Sequence, residues 1–446
     1  MIATTAVPID RDDADDPDRD DRDDRVDRVD RDDRVDRVDP VDPADRAVAL
    51  HARAVAAREA GRLDDALALG RRALRGLGRA LGPRHPDVAN ALLHLARTRV
   101  DRGAPGDAGA AERLARRAVA ILAAIRGGGP DVARLRVHAH GLLGNVLRAA
   151  ARYAEAEPHL ARAAALAARA LGRRDPDLGA ALNDLGMLCK YTGRFAEGRR
   201  HYRRALAILE RALGPGHPDL ASIHHNLGGI EHAAGRYARG EPHARRAVAL
   251  RERALGRTHP AVAADLANLA GVLDGLGRFD ESEGIYRRVL RIFRRHFGPV
   301  HYELAVNLNN LAAVHAARGR RAAAARLYRR ALAMKERLLG RSHPDVAVTL
   351  NNLAMLELEI GRRAAAAVRL RRALTIFERS LGPRHPSVAV CRGNLALVEG
   401  DGRRPKPGGR RVGRPRSRRE PTSGPSSGRP RSSSPGRRPR PAWWRS

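Results

Sequence analysis

The sequence predicts an all-α fold, a series of tandem helix-turn-helix repeats stacked into a right-handed superhelical solenoid. Three observations predict it. A phrase LG-x-x-HP recurs as LGPRHPD (81–87), LGPGHPD (213–219), LGRTHPA (255–261), LGRSHPD (339–345) and LGPRHPS (381–387), with degenerate copies LGRRDPD (171–177) and FGPVHYE (297–303). From Pro176 the step is 42 residues each time, through Pro218, Pro260, Tyr302, Pro344 and Pro386. Glycines (Gly193, Gly235, Gly277, Gly319, Gly361) and leucines (Leu185, Leu227, Leu269, Leu311, Leu353, Leu395) keep the same step. Three landmarks that share one period over more than 200 residues are the mark of a repeat array and not of composition.

Each landmark has a physical job. In LGPxHPD the Gly closes one helix in the left-handed conformation, and a following Pro cannot continue it. The second Pro is preorganised for the first turn of the next helix, and the Asp after it meets the positive helix end. The other glycine, as in AARGRRAAAA around Gly319, splits each unit into two helices. Between these breaks apolar residues keep helical spacing, as in Leu304, Leu308, Leu311 and Val314, then Ala324, Leu327, Tyr328 and Ala331. Ala, Leu and Arg dominate, aromatics are 3%, and runs of sheet-forming residues are missing.

Eight helix pairs are therefore expected near 44–81, 86–126, 130–171, 176–213, 218–255, 260–297, 302–339 and 344–381, with a capping helix near 386–399. The early steps, Pro86 to Pro130 and Pro130 to Pro176, are 44 and 46 residues, so these units carry small insertions. There Ala151 stands in place of the turn glycine, and GGGPD (127–131) replaces the junction. A single pair cannot bury its apolar face, so the pairs must stack, leaving a concave face.

Flanking the array (44–400) are two segments of different character. Residues 1–43 belong to an Asp/Arg-rich tail in which RDDRVDRVD occurs twice (22–30 and 31–39), a polyampholyte without core-forming periodicity that reads as disordered. Residues 401–446 are Arg, Pro, Gly and Ser, include GRPR at 413–416 and 428–431, and end near Trp443 and Trp444; they too read as disordered. The GRPR core resembles the AT-hook, which lies along a narrow minor groove. The net charge of +33 is uneven: −9 over residues 1–46, +14 over 402–446, and +28 between. So basic a body attracts acidic partners, and the tethered acidic tail would compete with them. The 81 arginines against three lysines (Lys190, Lys335, Lys406) fit GC-rich coding. Without a secretory apolar stretch or any window of 18 apolar residues, a cytoplasmic protein without membrane contact is expected.

The spacing Leu311, Ala312, Gly319, Ala324, Tyr328, Ala331 resembles the tetratricopeptide repeat signature, and the 42-residue period with LGxxHPDVAxxLNNLAxL resembles the variant found in kinesin light chains. The resemblance covers about residues 44–399. It implies a non-enzymatic protein-protein interaction scaffold or adaptor that takes an extended partner segment in a concave groove.

Within the first helices, asparagines are the candidate groove residues, because a helix interior has no propensity reason to prefer them. Asn226, Asn268, Asn310, Asn352 and Asn394 recur once per unit, with Asp184 in the matching place; Asn183, Asn309 and Asn351 stand one residue earlier. The candidate set is Asn183, His225, Asn226, Asn268, Asn309, Asn310, Asn351 and Asn352. Two readings apply: an amide ladder on a partner's backbone, or, for the second of each pair, a bond to the backbone of a neighbouring repeat. His85, His217, His259, His301, His343 and His385 are expected to cap helices, since equivalent places in successive repeats are a helix-packing distance of ~8–10 Å apart and one zinc ion needs its ligands at ~2.0–2.1 Å. Paired arginines of the second helices (Arg203 and Arg204, Arg287 and Arg288, Arg329 and Arg330, Arg371 and Arg372) read as a solvated convex face or as a surface for an acidic partner. Cys189 and Cys391 are too far apart in sequence for a disulfide framework or a zinc motif and read as reduced core residues. No GK[ST] loop, HExxH, GxSxG or paired CxxC occurs, so no enzyme, metal or cofactor is expected. Two other functional classes fit the sequence: a nucleic-acid-associated protein using the basic body and tail, and the sensor subunit of a signalling NTPase.

Overall fold

A computed structural model describes residues 42–383 and 385–400. Contacts divide the chain into two units, residues 1–276 and 277–446, each built from antiparallel helices without strands among the described residues. The first unit holds α1 (Pro43–Glu59), α2 (Leu63–Ala80), α3 (Pro86–Arg102), α4 (Asp107–Ala124), α5 (Gly129–Ala149), α6 (Tyr153–Leu166), α7 (Pro176–Tyr191), α8 (Phe195–Leu213), α9 (Leu220–Ala233), α10 (Tyr237–Leu255) and α11 (Pro260–Leu276). The second holds α12 (Phe279–Phe297), α13 (Tyr302–Ala317), α14 (Arg321–Leu339), α15 (Pro344–Glu359), α16 (Arg363–Leu381) and α17 (Pro386–Glu399). The two tails, with their GRPR strings and Trp443 and Trp444, lie outside the described residues.

The junctions are built as their chemistry requires. The Nδ1 of His85, His301, His343 and His385 accepts from the backbone N–H two residues on, at 3.3, 3.2, 3.2 and 3.1 Å, and so caps α3, α13, α15 and α17. In the degenerate copy Asp175 takes the histidine's place, and its Oδ1 accepts from Asp177 at 2.8 Å. His217 bonds the Asp219 N–H in the same way, but Pro218 and Asp219 remain in the turn and α9 starts at Leu220, two residues later than the junction predicts.

Inside each pair the turn residue is left-handed: φ is +75° at Gly193 and +73° at Gly319. The third pair keeps this turn with Ala151 at φ +58°, the one non-glycine residue of positive φ among those described. Its hydrogen bonds (Ala151 N to Arg148 O, Arg152 N to Leu147 O) match those around Gly193. The longer early step is absorbed by a 21-residue α5 and by a π-helical turn, Ala167–Leu171, that continues α6.

The core lies between the two helices of each pair and the first helix of the next. Tyr202 and Tyr328 are fully buried on second helices. Tyr202 presses its ring against Gly186 of α7, where an added Cβ would come within 2.6 Å of the ring. Cys189 and Cys391 are buried free thiols, as expected. In both units successive first helices also pack on one another: α5 on α7, α7 on α9, α9 on α11, and α13 on α15, α15 on α17. Within each unit the first helices therefore form a close row, and their touching edges carry the asparagines.

Candidate interaction face

Two neighbouring places on each first helix fall where it meets the next one. In α7 they hold Asn183 and Asp184, in α9 His225 and Asn226, in α11 Ala267 and Asn268. In the second unit they hold Asn309 and Asn310 (α13), Asn351 and Asn352 (α15), and Gly393 and Asn394 (α17). The repeat is 42 residues and the places are one apart, so partners across adjacent repeats differ by 43.

That offset recurs as a side-chain tie. Asn226 Nδ2 donates to Asn183 Oδ1 at 2.8 Å, Asn394 Nδ2 to Asn351 Oδ1 at 2.9 Å, and Asn352 Nδ2 to Asn309 Oδ1 at 3.4 Å. Asn268 has no amide opposite it, because Asn183's counterpart in α9 is His225, and its Nδ2 donates instead to the His225 carbonyl oxygen at 2.8 Å. Asn226, Asn268, Asn352 and Asn394 thus bind the preceding repeat, three through a side chain and one through its backbone. Asn309 and Asn351 are buried, at 5% and 8% exposure, whereas Asn183, Asn226, Asn268, Asn310 and Asn352 are half-buried. The Oδ1 of each first asparagine is occupied; the Asn183 amide also donates to the Asp184 carboxylate, whereas Asn309 Nδ2 reaches Asn310 Oδ1 only at 3.5 Å.

Charged groups flank this row. His225 Nδ1 lies 2.8 Å from Asp265, a fully buried carboxylate that Arg251 holds at 2.9 Å. Asp184 accepts from Asn145 Nδ2 of α5 at 2.7 Å. Burial pushes the Asp184 carboxyl up to about 6, opposed by the hydrogen bond from Asn145, by Arg148, by a hydrogen bond from Asn183 and by Arg97. Burial likewise lowers the Lys190 ammonium.

A family model described as the tetratricopeptide repeat matches residues 45–128, 131–211, 180–239, 219–295, 264–337, 303–379 and 345–406. The chain belongs to the tetratricopeptide repeat family. From Pro176 onward its units repeat every 42 residues. No curated protein matches the sequence. Among solved structures, BtubC (BKLC) from P. vanneervenii aligns at TM-score 0.45 with 24% identity, over 54% of this chain and 93% of that one. A Rap protein complexed with Competence and Sporulation Factor aligns at TM-score 0.51 with 15% identity, over 80% of this chain and 98% of that one. A signal transduction ATPase with numerous domains, carrying a tetratricopeptide repeat sensor, from Pyrococcus horikoshii aligns at TM-score 0.50 with 13% identity, over 76% of this chain and 47% of that one.

Outside the asparagine row, the tetratricopeptide units place the remaining sequence candidates plainly. Arg203, Arg204, Arg329 and Arg330 are exposed, while Arg372 binds Glu336 at 2.6 Å and Arg371 binds Glu399 at 2.6 Å. No helix among the described residues is long and apolar enough to cross a membrane.

Two partly buried histidine pairs escape sequence reasoning. His140 and His159 meet Nδ1 to Nδ1 at 3.0 Å, and so do His224 and His243. Each pair joins the two helices of one repeat, and the same spacing of 19 residues in two repeats was the available signal. Burial, then the partner histidine, pulls His140 and His224 down to about 4, so both pairs are neutral near pH 7.

Proposed function

We propose that the chain is a non-enzymatic protein-interaction scaffold whose row of first helices takes an extended segment of a partner protein. The carrying observation is the division of labour within the asparagine pairs. Inter-repeat ties occupy the Oδ1 of Asn309 and Asn351, which fixes each carboxamide and leaves its N–H groups as oriented donors for a partner's backbone carbonyls, whereas the Asn183 amide is engaged by Asp184. Preorganised amides of this kind lose little side-chain entropy on binding. The basic body, +28 over the central residues, favours acidic segments through long-range attraction. A fold of stacked helix pairs supplies extended surface, which supports a scaffold role. The Rap protein that shares the fold was crystallised with a bound factor, which agrees with a partner-binding use.

Selection of random extended peptides on the full chain tests this. Selected peptides should be net acidic, and Asn351→Asp, which keeps the acceptor for Asn394 and removes the donors, should weaken them by about 1 kcal/mol or more per lost hydrogen bond. Asn394→Ala should lower stability and, by releasing the Asn351 carboxamide, weaken binding by less than Asn351→Asp does. Peptides that bind Asn309→Asp and Asn351→Asp as well as they bind the parent would refute the asparagine row as the site.

A further inference from the structure

We propose that Cys189, Glu197 and His201 form a binding site for a divalent transition-metal ion of the zinc class. Cys189 lies in the last turn of α7, and Glu197 and His201 are one turn apart on α8, so a single hairpin supplies a thiol, a carboxylate and an imidazole. One ligand atom from each lies within 4.8 Å of the other two, and among the described residues no other three such groups meet.

Geometry carries the assignment. Glu197 Oε1 and His201 Nε2 are 3.5 Å apart. A tetrahedral zinc with oxygen and nitrogen at ~2.0–2.2 Å separates those atoms by about 3.4 Å, and a sulfur at ~2.3 Å stands about 3.6 Å from the nitrogen. The carboxylate-imidazole edge is therefore already set, and a side-chain rotation that moves the sulfur by about 1 Å completes the face. Close approach of the helices makes this reachable. At Gly198, between the two α8 ligands in sequence, an added Cβ would stand 2.9 Å from the Cys189 Cβ and 2.6 Å from Ile230 Cδ1.

The repeats provide an internal comparison. In α15 and α16 the same three places hold Glu357, Ala365 and Arg369, and Glu357 bridges to Arg369 at 3.0 Å. In α13 and α14 they hold His315, Ala323 and Leu327. The fold thus brings these places together in each unit, and the identity of the side chains decides what they do. α7 and α8 alone place three metal donors there among the described residues.

Chemistry narrows the ion. Thiol and imidazole donors select the zinc class over magnesium and calcium, which take oxygen. A thiolate and a carboxylate cancel the charge of a divalent ion, so the loaded site is neutral. Burial pushes the Cys189 thiol up to about 11 and lowers His201, so the empty site holds a neutral thiol and a neutral imidazole. On binding, the S–H bond breaks and a thiolate–metal bond forms, with one proton released to solvent and no change in the oxidation state of the ion. Arg194 is the competing cation, 3.5 Å from Glu197, but it is held more closely by Glu157 at 2.7 Å. Cys189 is 1% exposed while the Glu197 side chain is 38% exposed, so the ion enters past Glu197 and keeps water in the remaining position.

The test is titration of the full chain with cobalt(II). The expected result is a thiolate-to-cobalt charge-transfer band saturating at one equivalent, displaced by zinc(II), with one proton released per cobalt ion bound. The band should be lost in Cys189→Ser and in His201→Asn, and affinity should fall at least tenfold in Glu197→Gln. Circular dichroism identical to the parent identifies the folded variants, and the partly exposed His201 and Glu197 allow the test even where Cys189→Ser is unstable. Absence of the band, or a band that survives in His201→Asn or belongs to Cys391, overturns the proposal. Cobalt bound at the histidine pairs gives no thiolate band and also counts against it.

Discussion

Asp184→Asn should stabilise the protein, and the gain should depend on pH. Asparagine is what later repeats carry at this place (Asn226, Asn268, Asn310, Asn352), so the shape is already accommodated. The carboxamide oxygen that the substitution introduces can still accept from Asn145, as the Asp184 carboxylate does at 2.7 Å. Burial raises the carboxyl from 3.8 to about 6. Because the folded chain holds that proton more tightly than the unfolded chain, the parent loses stability as pH climbs between these two values. The gap is worth about 3 kcal/mol at ~1.4 kcal/mol per pH unit, and a realistic gain is about 1–3 kcal/mol, since the replaced hydrogen bond from Asn145 loses its charge assistance. Urea unfolding of both proteins from pH 4 to pH 8, with hydrogen exchange read at α5 and α7, measures it. Exchange is needed because stacked repeats open locally. Near pH 4 the two should be alike, and by pH 7 the variant should be ahead by its full margin. A variant no more stable than the parent at pH 7, or a difference that ignores pH, would refute the buried-carboxylate reasoning.

Two further outcomes follow from the backbone. Ala151→Gly should raise stability by about 0.5–1 kcal/mol, because an L side chain at φ +58° is strained where glycine is not; thermal melting checks it, and a loss would mean that the methyl contributes packing that outweighs the strain. His343→Ala should cost about 1 kcal/mol and speed exchange at the start of α15, whereas His343→Asp should restore most of it, since Asp175 already serves as such a cap.

Much of the fold was legible because its breaks are local. Gly, His and Pro at the junctions act within three residues of themselves, so helix boundaries follow from the string, and α9 departs only because Pro218 and Asp219 stay in the turn. The candidate face was legible in part. Period and residue type picked out the asparagines, but the partner of Asn226 is 43 residues away, and only packing of α9 on α7 shows that the tie joins two amides. His225 was named without its reason; Asp265, 40 residues on, and Arg251 hold it through contacts that no spacing rule encodes. The cysteines lie too far apart in sequence for a disulfide framework or a zinc motif, and both are buried free thiols; that Cys189 also meets Glu197 and His201 follows from a tight turn that folds α8 back on α7. A ligand set of three residue types across one hairpin has no regular expression.

The offset between a 42-residue unit and a 43-residue tie bears on how such an array can change length. Units such as those of α13 and α15 carry both a donor and an acceptor, so duplicating one of them leaves the added amides matched. At α17 Asn394 still grips Asn351, but the acceptor place is Gly393, around which no side chain crowds. The last helix can close the series and offers no side-chain amide to a successor. The same place holds His225 in α9 and Ala267 in α11, so the amide series can lapse while the row of helices goes on, as Asn268 does by turning to the His225 carbonyl oxygen.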